Sequence, residues 1–90
     1  MKCKIVITGQ TGGNFKIKDK LLNSVSESKR FNDYVLEYHS IKQAKADLNH
    51  AYNRFLEDEP EMKDSLSGYD LSLNGDRLSY DASTAVITYL

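Results

Sequence analysis

The chain has no tryptophan, one proline, one cysteine and five glycines in 90 residues. A single cysteine excludes an intramolecular disulfide framework, and so little proline and glycine excludes a collagen-like or low-complexity chain. No apolar run approaches the roughly 18 residues of a membrane helix, and the N-terminus lacks the apolar core of a secretory signal. These absences lead to the expectation of a cytoplasmic chain with no membrane association. What is present, 40% hydrophobic and 28% charged residues, suits one small domain over residues 1–90.

A formal net charge of −1 hides an imbalance. Residues 1–45 carry nine lysines and arginines against four acidic residues, and residues 46–90 carry three against nine. Such a split either creates a basic face and an acidic one or is neutralised when the two halves interleave in one sheet.

The clearest strand patterns are Lys2–Thr8, where Cys3, Ile5 and Ile7 alternate with Lys4, Val6 and Thr8, and Asp33–His39, where Tyr34, Leu36 and Tyr38 alternate with Val35 and Glu37. Three glycines in Gly9–Asn14 break the first strand, and Phe15–Lys18 alternates again, as a strand returning antiparallel to it would. Residues 19–30 are undecided between helix, strand and loop. Ser40 and Gln43 have capping-box spacing, and Ile41, Ala44, Leu48, Ala51, Tyr52, Phe55 and Leu56 then form an apolar stripe, predicting an amphipathic helix over 41–56 with Asp47 off that stripe. Pro60, Met62, Leu66 and Gly68 suggest a short helix near 60–66. Asn74-Gly75 is the preferred pair for a type I′ hairpin turn, which would set Leu71 against Leu78 and Tyr69 against Tyr80. Ala85–Leu90 follows as a final strand completing a C-terminal meander.

The expected fold is therefore α+β: a mainly antiparallel sheet of about five strands, with one long helix packed on one face. A lone helix is too narrow to cover such a sheet, which leaves an uncovered face, or an edge such as Ala85–Leu90, for a partner.

The segment Ile5-Val6-Ile7-Thr8-Gly9-Gln10-Thr11-Gly12-Gly13 resembles the first strand and glycine turn of short-chain dehydrogenase-like Rossmann domains. That resemblance implies backbone amides approaching a pyrophosphate at a helix start. Beyond Gly13 the pattern departs from it, because Asn14–Lys18 opens a helix poorly and 90 residues hold too few β-α-β units.

No catalytic constellation is visible. Cys3 reads as a buried hydrophobe, His39 and His50 as surface histidines, and the acidic run Glu57–Glu61 as a solvated helix cap. His50 with Asp47 lacks a recognised metal-ligand spacing. No cofactor and no metal are expected, and the chain reads as no enzyme. The six tyrosines serve either as interface area or as the large filler of a tryptophan-free core.

These observations favour a non-enzymatic interaction protein that binds a protein partner or a second copy of itself as a homodimer. Val6 and Val35, facing away from the core, and Tyr89 and Leu90 at the chain end are the candidate partner contacts. The alternative is a nucleic-acid-binding accessory protein using Lys2, Lys4, Lys16 and Lys18 on its N-terminal strands.

Overall fold

The computed structural model describes residues 2–61 and 71–89. Strand β1 spans Cys3–Gly9, with Cys3, Ile5 and Ile7 completely buried and Lys4 and Val6 half-buried on its other side. The chain does not return as a hairpin. Gly9 adopts φ +127°, and helix α1 follows over Thr11–Lys20. Phe15–Lys18 is thus helical, correcting its reading as a strand. Four alternating residues are too few to separate the two periods. Gly13, Asn14, Ile17 and Leu21 are the buried set, the spacing of a helix stripe, while Phe15 stays exposed. Lys18 and Lys20 in the last turn complement the helix dipole.

After an extended link the chain forms β2 (Ser26–Arg30), whose five residues are all exposed, and β3 (Asp33–Tyr38). Ser40 caps helix α2 (Ile41–Asp58), its Oγ accepting a hydrogen bond from the Gln43 amide at 3.2 Å. This helix continues through Glu57 and Asp58, past the expected 41–56. Two carboxylates there would oppose the helix dipole, but Lys20 of α1 lies 2.9 Å from Asp58 and compensates one of them. Pro60 and Glu61 form a 3₁₀ step, and the rest of the expected 60–66 helix lies outside the described residues.

Strands β4 (Ser72–Asn74), β5 (Arg77–Tyr80) and β6 (Ser83–Tyr89) form the expected meander. Its first hairpin has a different register. Leu73, not Leu71, opposes Leu78, and Ser72 opposes Ser79. The turn is Gly75-Asp76, with positive φ at Gly75 but not at Asp76, the pattern of a type II′ rather than a type I′ turn. The Asp76 carbonyl accepts a bond from the Ile87 amide at 3.0 Å, which carries the β5–β6 pairing one residue beyond Arg77–Val86. Tyr69 and Asp70 lie outside the described residues.

The six strands form one antiparallel sheet in the order β2-β3-β1-β6-β5-β4. β6 therefore lies inside the sheet between β1 and β5, which corrects its reading as an edge. The edges are β2 and β4. Both helices pack on one face, where Ile17 of α1, Leu21 just after it and Ala44, Leu48, Ala51 and Phe55 of α2 share one core with Ile5, Ile7, Leu36, Leu78, Ala85 and Ile87. That face is covered by two helices where one was expected. Among the described residues no helix is long and apolar enough to cross a membrane.

Candidate functional site

The strand registers dictate what lies on the sheet face opposite the helices. Val6 pairs with Val35 on one side and with Val86 on the other, and Val86 pairs in turn with Arg77. Three valines therefore form an unbroken half-buried row at the centre of this face. One row along, Lys4 lies between Glu37 and Thr88. On the other side Thr8 opposes Thr84, with their hydroxyls 3.3 Å apart, and Thr84 opposes Ser79. The result is a surface with a valine centre, bordered by threonine and serine on one side and by Lys4 and Glu37 on the other, with Arg77 beside Val86. The described helices both lie on the other side of the sheet.

Val6 and Val35 are thus direct neighbours. Val86 completes their row, a residue the sequence reading missed. The alternation of Ala85 and Ile87 with Val86 and Thr88 assigns its face, but only strand order makes it a neighbour of Val6. Tyr89 does not join them. It belongs to the helix side of β6, is 48% exposed, and donates its hydroxyl to Asp76 at 2.7 Å, a bond that raises its pKa. Leu90 lies outside the described residues.

The four candidate lysines do not share a surface. Lys2 immediately precedes β1 and Lys4 lies in it against Glu37, whereas Lys16 and Lys18 are on helix α1 in the other layer. Lys16 Nζ is 3.5 Å from the Tyr80 hydroxyl, and Lys18 Nζ is 3.6 Å from Glu27. The charge imbalance of the two halves is reduced in part by the ion pairs Lys20–Asp58 and Lys45–Asp76, which join them.

The other candidate groups act mainly as tertiary ties. Asp47 is 1% exposed, not off the stripe as the sequence reading has it, because it stands three residues from Ala44 and four from Ala51. Its carboxylate accepts from the Tyr38 hydroxyl and from the backbone and side-chain amides of Asn23 at 3.1 and 3.2 Å. It is therefore unavailable to His50, which is exposed in an open groove of about 240 Å³ with Asn53, Arg54 and Glu57. The acidic run is no solvated cap throughout. Asp58 is held by Lys20, and Glu59 accepts from the Tyr80 hydroxyl at 2.6 Å. Tyr80 also stacks on Phe55 with centroids 4.1 Å apart. Burial first, then the bond to Glu59, pushes the Tyr80 pKa well above its usual value. Tyr38 and Tyr80 are large core fillers, and Tyr34 and Tyr52 pack against that core. The Cys3 thiol is buried, which raises its pKa away from reactivity.

The glycine turn does open a helix, as the Rossmann resemblance implies, but its space is filled by the chain itself. A Cβ on Gly9 would meet the Ala82 carbonyl at 2.5 Å, and one on Gly13 would meet the Ser83 hydroxyl at 2.5 Å. Ser83 donates that hydroxyl to the Gln10 carbonyl at 3.0 Å. The β5–β6 turn thus sits where a pyrophosphate would approach, and β1 has antiparallel neighbours on both sides. Among the described residues no group of three or more His, Cys, Asp or Glu side chains could hold a metal ion. No known protein family, no characterised protein and no solved structure matches this chain.

Proposed function

We propose that this chain is a non-enzymatic interaction protein that binds a protein partner or a second copy through the open sheet face. The observation that carries this reading is the continuous valine row Val35–Val6–Val86 on the side of the sheet away from both helices. An antiparallel sheet tolerates one wet face when that face alternates into polar residues. A valine row at its centre is the part of the surface that gains from being covered. Magnitude limits the kind of contact. Six strands about 4.8 Å apart and three residue rows make a face of roughly 500 Å², against about 800 Å² per side in a standard stable interface. The face suits a small, reversible contact.

Val86→Glu tests the reading, since Arg77 directly opposite can neutralise the new carboxylate and leave the fold intact. Proteins co-purifying from the native host, and any self-association through this face, should fall at least about tenfold. Asn53→Glu, on the exposed side of α2, should change neither. Identical co-purifying proteins and identical solution mass for wild type and Val86→Glu would overturn the proposal.

A further inference from the structure

Strand β2 is an open edge with a sequence that is complementary to itself. Its residues Ser26-Glu27-Ser28-Lys29-Arg30 are all exposed, and among the described residues it pairs only with β3. Alternate residues of an edge strand turn their backbone N–H and C=O groups outward. The two-residue turn at Phe31-Asn32 closes on the pair Arg30–Asp33, so Ser26, Ser28 and Arg30 bond inward to β3 and Glu27 and Lys29 turn outward.

An antiparallel pairing of two such edges can therefore match Glu27 with Glu27, Lys29 with Lys29, or Glu27 with Lys29. The first two place like charges directly opposite each other. The third, centred on Ser28, places opposite charges in both symmetry-related pairs and makes about four ladder hydrogen bonds. The same register brings Arg30 of one copy opposite Ser26 of the other, next to Glu37 in the adjoining strand. Just beyond the two ends of β2 lie Phe31 and Val25. These are two of the most exposed large apolar side chains, 87% and 50% respectively. Charged residues on an edge ordinarily keep other strands away, but this order of charges disfavours the slipped registers relative to one two-fold pairing, in which Glu27 lies between Lys29 of the other copy and Lys18 of its own chain.

We propose that two copies of the chain associate through β2, antiparallel and centred on Ser28, into one continuous twelve-stranded sheet. This rests on the reading of the chain as an interaction protein but uses a different surface, so the two fail separately. The test is sedimentation velocity from about 10 µM to 1 mM, the range in which so small a contact is populated. Wild type should shift from the 10.2 kDa monomer toward twice that mass. K29E alone and E27K alone should remain monomeric, because each sets like charges opposite each other. An equal mixture of K29E and E27K should associate again, since one copy then presents two glutamates and the other two lysines. Lys29→Pro, which removes an outward N–H and leaves the β3 ladder intact, should also be monomeric. A wild type monomeric at about 1 mM, or a K29E variant that dimerises like wild type, overturns the proposal. Dimerisation lost in Val86→Glu but kept in K29E would assign self-association to the valine face instead and leave the interaction reading standing.

Discussion

Tyr38 donates its hydroxyl hydrogen to the carboxylate of Asp47, and both side chains are 1% exposed. Asn23 supplies two further donors to the same carboxylate, so one buried group ties β3, α2 and the link between α1 and β2. A buried carboxylate is costly unless donors surround it, and each donor therefore matters more than a surface bond would. Tyr38→Phe should lower the unfolding free energy by about 1.5–3 kcal/mol. That corresponds to a fall in Tm of roughly 6–24 °C for a domain of this size. Asp47→Ala should cost more, because it leaves the Tyr38 hydroxyl unpaired in the interior and removes both Asn23 bonds as well. Urea unfolding of the two variants checks the order, and a Tyr38→Phe protein as stable as wild type would contradict it.

Alkaline pH probes the same bond. Tyr38 and Tyr80 both have pKa values raised above the usual 10, by burial first and then by their bonds to Asp47 and Glu59. The folded state thus holds the neutral phenol more tightly than the unfolded chain does. The stability from these bonds is complete below about pH 10 and declines as pH rises above it. Unfolding free energies measured from about pH 8 to 11 should fall along the upper part of that range. Tyr38→Phe and Tyr80→Phe should each make the decline shallower.

Two adjacent glycines in α1 should respond in opposite directions to alanine. At Gly12 a Cβ has open space, and the helix gains roughly 0.5–1 kcal/mol from alanine. At Gly13 the same Cβ would lie 2.5 Å from the Ser83 hydroxyl and 2.9 Å from the Asp81 carbonyl, so the β5–β6 turn must shift and stability should drop. Thermal melts of Gly12→Ala and Gly13→Ala decide this. Equal shifts of the same sign would show that the turn does not press on the helix.

The β5–β6 turn has left-handed φ values at Asp81 and Ala82, 50° and 64°. Both positions of a type I′ turn require this conformation, which costs an alanine about 1 kcal/mol. Ala82→Gly should therefore stabilise the protein by about that amount. Chemical denaturation at neutral pH measures it. Unchanged or reduced stability would mean that the Cβ of Ala82 makes compensating contacts.

The readable parts of the fold were those whose pattern is long. β1 and β3 alternate over six or seven residues and α2 carries its stripe over four turns, so Val6 and Val35 could be assigned to the outward face without coordinates. α1 was not readable in the same way. With two glycines and only Ile17 and Leu21 to bury, it is a poor helix locally. It is held by Ser83 packing against Gly13 from seventy residues away. The β4–β5 register was ambiguous for another reason. A slip that changes pairing by two residues keeps every side chain on its own face, so the alternation by itself does not choose between Leu71 and Leu73 as the partner of Leu78. Asp47 is hard to place from sequence for a third reason: a charged residue on a buried stripe depends on donors such as Tyr38 and Asn23 that only the fold brings to it.

Local alternation, the Ser40 cap and the period of α2 are encoded in neighbouring residues, so the order of amino acids by itself determined the α+β class, the C-terminal meander and the faces of the main strands. Which strands lie side by side, that β6 is interior, that β2 is an edge and that Val86 joins Val6 and Val35 were decided by the tertiary structure alone. Strand pairing joins residues far apart in the chain, and its energy comes from side chains and backbone groups that meet only after folding.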